Sequence, residues 1–449
     1  MLLRAGDKRR YKCGTYFASR CKCGVREGKQ PSYCRVMKTA DPELMRAINR
    51  FHVLDTIRRF GAISRVEIGE RILLSATTVS AITASLLDDG LISTRHEGDL
   101  RNSGSRGRPR VMLTLNPEAA RVVGAKIASN RLVFCVTNFQ GDVLASLTLP
   151  VRVDRLPIEV IADLVEDGVR RCVMDAGLAL NEIKTVALSL PGIIEHGTGR
   201  VRSSAIFRDL NVSLKEAIVK RLNIDTIVES DANAITMAEH WFGRGRDLDD
   251  FVLVAIEESL GLGVLHGGQL FRGARELSLT LGDMIMGSDP EHAVKLSELA
   301  SEQAILDGDH GDSRVRDAIR LGQGMGRVRG LIEEGDNELR IAAARAGSAL
   351  GIAIANLVAL FAPPRVILVG STLALGDYLL DSLRIAFAKA IPDPLKNVAQ
   401  IVIDEVSDEL WARGAAAVAL GELYGSPWGT TGPARRASAV EFSDTKSGR

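Results

Sequence analysis

Residues 64–92 read SRVEIGERILLSATTVSAITASLLDDGLI, and the fold of the first part of the chain depends on how this stretch divides. Ser64-Arg65-Val66-Glu67 has the form of a capping box, in which a hydroxyl and a carboxylate three residues apart each satisfy a backbone N–H beside the other. The short helix it opens should end near Arg71. After the turn Ile72-Leu73-Leu74, Ser75 caps a third helix that buries Val79, Ile82 and Leu86 and leaves Thr77, Thr78, Ser80 and Ala81 outside. An outer face of small uncharged side chains suits a helix that enters the major groove, so the layout predicts a helix-turn-helix. Upstream, Leu44, Ile48, Phe51, Leu54 and Ile57 recur at three- and four-residue intervals, marking a first helix that stops at Gly61. Downstream, Leu91–Thr94 and Val111–Leu115 read as strands around a loop that carries Arg101, Arg106, Arg108 and Arg110 among small residues. That is the shape of a wing, whose guanidinium groups can reach phosphates or a narrow minor groove.

The candidate DNA-binding residues are therefore Thr77, Thr78 and Ser80 for the groove, Ser75 at the helix start, and Arg65, Arg106 and Arg108 for the backbone or minor groove. Charge along the chain agrees. The 449 residues hold 57 Lys+Arg against 56 Asp+Glu, but residues 1–36 carry ten basic and two acidic side chains, residues 37–112 twelve and nine, and the remainder 35 and 45. A basic head on an acidic body offers one end to a polyanion. With 46% hydrophobic and 25% charged residues the chain is an ordinary globular protein rather than a disordered or collagen-like one, and 4% aromatic residues argue against a base-stacking single-strand binder.

Four of six cysteines (Cys13, Cys21, Cys23, Cys34) crowd the first 36 residues without the paired CxxC spacing of a zinc ribbon, so neither a metal site nor a disulfide framework is expected. Residues 1–36 read as a disordered extension, or as lying ahead of a biological start at Met37. No signal peptide opens the chain, and the longest uncharged run, Ala346 to Pro364, contains Ser348, Gly351 and Asn356 and reads as a buried helix rather than a membrane span. A cytoplasmic protein without a membrane segment is expected.

Beyond the wing, β-like runs (Val122–Ile127, Leu132–Thr137, Thr185–Leu190, Thr226–Glu229, Phe251–Glu257, Arg365–Val369) alternate with amphipathic stretches of helical length (Ile158–Ala176, Leu214–Arg221, Ala232–Trp241, Leu339–Leu360, Asp377–Ala390). The alternation predicts an α/β body of two lobes over residues 116–424, behind a winged helix over 37–115 and ahead of a disordered tail at 425–449. Ser259-Leu260-Gly261-Leu262-Gly263 reads as a tight turn between strands.

Arg106-Gly107-Arg108-Pro109, Leu190-Pro191-Gly192-Ile193-Ile194-Glu195, Glu229-Ser230-Asp231-Ala232-Asn233-Ala234, Gly261-Leu262-Gly263 with Gly267-Gly268, and Val366-Ile367-Leu368-Val369-Gly370 stand in an order and spacing that resembles the ROK family of repressors and sugar kinases. The resemblance covers about residues 40–423. It implies an actin-like, two-lobed sugar kinase fold behind a winged helix, a homodimer or homotetramer, and a palindromic double-stranded operator with half-sites about one helical turn or a multiple apart.

The departures from that pattern bear on activity. Family kinases carry a DxGxT-like turn for ATP phosphates and magnesium; the matching positions here are Lys126, Ala128 and Asn130, and a cation where an acid belongs defeats phosphoryl transfer. The family's zinc site needs a His and three Cys, yet its turn here reads Leu279-Thr280-Leu281-Gly282-Asp283, and no cysteine follows Cys172. Residues 284–297 should then hold their loop by packing alone. Of the sugar contacts, the Asn of a Ser-Pro-Asn-Leu segment is lost at Ser203-Ser204-Ala205-Ile206, the Glu and His of the turn are Thr280 and Asp283, and a later Glu is Ser297. Asp231, the position of the kinases' general base, remains, either as a ligand contact or as a carboxylate favoured by a helix N-terminus. Asp231, Asn233 and Asp283 are the candidate ligand-binding residues, with Asn233 leaning to a structural role. The expected function is a DNA-binding transcriptional regulator, a repressor, of carbohydrate-related genes, without cofactor or catalytic residues, whose small-molecule effector in a degenerate cleft is, as the resemblance implies, a sugar or sugar derivative. The alternatives are a sugar kinase with a fused regulatory head and a protein-interaction scaffold.

Overall fold

The structure is a computed structural model and describes residues 42–96, 111–154, 156–287, 293–306 and 324–425. The basic extension, the wing loop with Arg106 and Arg108, and the tail from residue 426 lie outside the described residues.

The capping box forms as its sequence requires: the Glu67 N–H donates to Ser64 Oγ at 3.3 Å and the Ser64 N–H to Glu67 Oε2 at 2.9 Å. Chain order at this end is α1 (Pro42–Phe60), β1 (Ile63–Ser64), α2 (Arg65–Ile72), α3 (Ala76–Asp88), β2 (Ile92–His96) and β3 (Val111–Leu115). β3 lies between β1 and β2, antiparallel to both. Val53, Leu54, Ile57, Ile68, Val79, Leu86 and Leu113 are buried together. Ile82, expected inside, is only partly covered, because it sits at the edge of that core. Between α2 and α3 the chain reverses at Leu73, whose left-handed backbone (φ 55°) leaves its side chain in solvent.

The first lobe follows with β4 (Arg121–Ala128), β5 (Arg131–Asn138), β6 (Val143–Leu149), α4 (Ile158–Asp175), β7 (Ile183–Leu190), the hairpin β8 (Ile193–Glu195) and β9 (Arg200–Ser203), α5 (Leu214–Leu222) and β10 (Asp225–Ser230). Its sheet runs β10-β7-β4-β5-β6. The second lobe has α6 (Asp231–Phe242), β11 (Phe251–Ile256), β12 (Leu260–His266), β13 (Gln269–Leu270), β14 (Leu279–Thr280), β15 (Ile285–Met286), β16 (Val294–Lys295), α7 (Ser297–Ala300), α8 (Glu302–Leu306), α9 (Gly324–Glu333), α10 (Asn337–Phe361), β17 (Arg365–Val369), α11 (Asp377–Ala390), β18 (Gln400–Ile403) and α12 (Asp408–Leu423). Its sheet runs β13-β12-β11-β17-β18, with β14 also on β12.

Alternation along the strands sets the layers. On β4 and β5, Val123, Ala125, Ile127, Phe134 and Val136 face a core with α4 and α5, whereas Val122, Val133 and Cys135 face the opposite core. On β11 and β17, Leu253, Ala255, Ile367 and Val369 share that second core, while Val252, Val254, Val366 and Leu368 face α10 and α11. α6 and α12 are thus packed between the two sheets, and the helical end of the molecule, through Val53, Leu54 and Ile57, joins the same middle core. α10 is long and apolar enough by composition to cross a membrane, but it buries Leu339, Leu350, Ile354 and Leu357 in the third core.

Three expectations need correction. Leu260–Gly263 is not a turn but the start of strand β12, paired with β11 from Phe251↔Leu265 to Ile256↔Leu260; its glycines let α6 approach the sheet. Residues 284–297 are not held by packing alone, since β15 and β16 pair and Lys295 Nζ meets Asp283 Oδ1 at 2.8 Å. The first wing strand runs on past Thr94 to His96, because β3 offers it a partner as far as Val111.

Candidate DNA-reading face and interlobe cleft

α3 begins at Ser75, whose hydroxyl accepts the Thr78 N–H at 3.1 Å and lies 2.8 Å from Thr78 Oγ1. These two hydroxyls therefore serve the cap. Thr77 and Ser80 are exposed, and their hydroxyls make no hydrogen bond among the described residues. No acidic side chain occupies the first turn of α3, so its positive end is available to a phosphate. Arg65 is half-buried, with Nε donating to Thr83 Oγ1 at 2.9 Å, so it ties α2 to α3 as well as carrying charge. Arg106 and Arg108 lie outside the described residues.

At the other end of the molecule the carboxyl ends of the strands of both lobes converge, the usual place for a ligand in an α/β sheet. Lys126, 1% exposed at the end of β4, reaches across to Glu257 at the end of β11, with Nζ to Oε2 at 2.7 Å, and stands 3.5 Å over the Trp411 ring of α12. Ser129 Oγ donates to Glu258 Oε2 at 2.7 Å beside it. Where an acid was needed for metal and phosphates, the chain has an internal cation already paired with the opposite lobe. Sequence reading identified Lys126 but not Glu257 or Trp411, which are remote along the chain.

Asp231 opens α6 next to this pair, with Oδ1 accepting the Ala232 N–H at 2.7 Å. Burial raises its carboxyl to about 6, with Glu257 adding to the shift and Lys126 opposing it. The folded state thus holds a proton that the unfolded chain has released, and stability falls as pH climbs from the ordinary carboxylate range through about 6. Asp231→Asn keeps the acceptor for Ala232 and removes the charge. It should stabilise the protein at pH 7.5 by up to about 3 kcal/mol, an advantage that vanishes at pH 4, as urea titrations at the two pH values would read.

Asn233 is fully buried and donates Nδ2 to Glu229 Oε1 at 2.9 Å. Glu229 is the centre of a group that the sequence did not reveal. It also accepts the Ser230 N–H at 2.9 Å and Arg272 Nε at 2.7 Å, and lies 3.0 Å from His196 Nδ1. Burial alone would protonate Glu229, but Arg272 and His196 hold its carboxyl far below the usual range. His196 Nε2 meets Glu422 Oε1 at 2.9 Å; burial disfavours its charged form, yet the two carboxylates outweigh that and raise its pKa. Asp283 is half-exposed, its carboxylate taken by Lys295.

The far end of α6 meets α1. Arg58 stacks 4.5 Å over Trp241, Asp55 takes Arg58 at 2.8 Å and Arg59 at 2.7 Å, and Arg59 continues to Asp249 at 2.7 Å. His240 faces both guanidinium groups at 3.4 Å; burial and those cations push its pKa down to about 3, so it stays neutral. One helix therefore has its first turn in the cleft and its last turn beneath the helix-turn-helix.

Comparison with known proteins agrees with this geometry. The ROK family model matches residues 122–422, and the MarR family model matches residues 48–103. A putative xylose repressor of Caldicellulosiruptor sp. (strain Rt8B.4) is 24% identical over 406 residues, covering 86% of this chain and 98% of its own. The crystal structure of a ROK family transcriptional regulator, a homologue of the E. coli MLC protein, superposes with TM-score 0.68 at 22% identity over 86% of this chain and 98% of its own. A ROK family glucokinase from Streptomyces griseus, solved with glucose and AMPPNP, gives TM-score 0.56 at 21% identity, covering 67% of this chain and 99% of its own.

Proposed function

This chain belongs to the ROK family, and from that premise we propose that it is a DNA-binding transcriptional repressor of carbohydrate-related genes. The observation that carries the reading is the pairing of an open, uncharged α3 face with a kinase-like cleft whose phosphate end is filled by Lys126 and Glu257. Residues 37–115 read the operator and residues 116–424 form the effector and oligomerisation body. The relatives with full-length similarity include a xylose repressor, which points to a sugar as effector. The effector binds between the lobes, in contact with Asp231, and favours one lobe arrangement over another. The protein acts in the cytoplasm as a homodimer or homotetramer on a palindromic site, and it does not transfer phosphate. Thr77 and Ser80 read bases, Ser75 and Thr78 hold the helix end that meets the backbone, and Arg65, Arg106 and Arg108 supply charge. Asn233 supports Glu229, and Asp283 contributes at the rim of the cleft.

The experiment is selection of bound fragments from the source genome by the full chain, with and without xylose and other sugars. The expected result is a recurrent palindrome released by one sugar class. Within that site Thr77→Ala with Ser80→Ala should change which bases are preferred, and Arg108→Ala should flatten the log–log salt slope by about 1 at every sequence. Salt-sensitive binding without a motif, or ATP-dependent sugar phosphorylation, would overturn the reading.

A further inference from the structure

Between α1 and the body lies a cavity of about 100 Å³, separate from the α3 face and from the Lys126–Glu257 end of the cleft. Phe51 of α1, Met237 and Trp241 of α6, Leu270 of β13, Val418 of α12 and Tyr424 line it. The Trp241 and Tyr424 rings lie 5.1 Å apart, centre to centre, and the Tyr424 hydroxyl is already spent on the Phe139 carbonyl at 2.8 Å. What these residues offer a guest is ring faces and apolar surface.

The charges on the wall are matched internally. Asp55 has Arg58 and Arg59, Arg272 has Glu229, and Glu422 has His196. A charged guest would bring a charge with no counterpart left for it, at a cost that excludes it. Two polar groups on the wall have no hydrogen-bond partner among the described residues, His240 Nδ1 and the Gln269 amide, and of these the amide offers both a donor and an acceptor. The volume is of the same order as the roughly 150 Å³ apolar cavity known to admit benzene.

We propose that this cavity binds a small uncharged aromatic molecule with one hydroxyl, of the size of phenol, its ring among Phe51, Trp241 and Tyr424 and its hydroxyl on Gln269. Because α1 forms one wall and α6 and α12 the others, the guest fastens the helix-turn-helix to the body. The site stands independently of the repressor reading, since it needs neither operator nor sugar.

Gly421 supplies the test. It also lines the cavity, and a Cβ there would meet only the Met237 terminal methyl at 3.7 Å, an ordinary contact. Gly421→Leu therefore projects a side chain into the space without disturbing the backbone of α12. The full-length protein is titrated with 4-fluorophenol, followed by fluorine NMR and by tryptophan fluorescence, with circular dichroism to verify that each variant is folded. Saturable one-site binding by the parent, weakened roughly tenfold or more by Gly421→Leu and roughly fivefold by Gln269→Ala, is the expected result. Val418→Phe serves as the filling variant if Gly421→Leu does not fold. No saturable binding by the parent at about 10 mM, or an affinity unchanged in the folded filling variant, overturns the proposal.

Discussion

Replacing Arg272 with methionine is expected to cost about 3 kcal/mol or more of stability at pH 7, because it leaves the Glu229 carboxylate buried without the guanidinium that pairs with it. Glu229 is 1% exposed, and its remaining partners are His196, Asn233 and the Ser230 N–H. Glu229→Gln combined with Arg272→Met removes the charge along with its partner, and should recover most of the loss. The pH dependence follows from the depressed carboxyl. Its ionised form stabilises the parent above the ordinary carboxylate range, and that contribution is lost as pH falls through the lowered folded value. The gap between parent and Arg272→Met should accordingly narrow in acid, as the mutant's Glu229 takes up a proton first. Urea unfolding at pH 7 and pH 4 tests both statements, and a loss under about 1 kcal/mol at pH 7 would mean that His196 alone neutralises the site.

Gly263→Val should be comparably severe, at about 3 kcal/mol or more, for a steric reason. A Cβ on Gly263 would sit 1.8 Å from Thr236 Oγ1 and 2.9 Å from the Ala232 carbonyl oxygen, so α6 would have to lift off β12. The Thr236 hydroxyl can be removed and the Ala232 carbonyl cannot. Thr236→Ala in the Gly263→Val background should therefore restore part of the stability and not all of it, which a thermal unfolding series would read directly. Full rescue would show that side-chain crowding, rather than backbone approach, sets the spacing of helix and sheet.

The same glycine shows where sequence reading stopped. A glycine pair inside an apolar run looks alike whether it makes a turn or admits a neighbouring helix, and only the position of α6 decides between them. Local signals were legible: the Ser64–Glu67 box, the Ser75 cap and the spacing of Val79 and Leu86 each depend on residues within one or two turns. α12 was not anticipated because Ala412, Ala415, Ala416, Ala417 and Ala419 are all buried, so a helix between two layers has no polar stripe to betray its period. In the cleft, Lys126 and Asp231 stood out by type, but Glu257 and Trp411 belong to other elements, and no spacing rule links them. The Glu229 group assembles side chains from positions 196, 229, 233, 272 and 422, which only the folded topology brings together.

α12 is the last described helix, yet it lies in the middle of the molecule against β4 and β5, with Arg131 bound through both Nε and Nη2 to Asp408 at 2.8 and 2.7 Å. During synthesis the head's helices and sheet, all built from residues up to Leu115, leave the ribosome well before Trp411 is made. The inner face of the first lobe, with Val122, Val133 and Cys135, must wait until α12 has been made to be covered. A nascent or prematurely terminated chain would thus carry a finished head on a body that is still open, sticky and without its means of control.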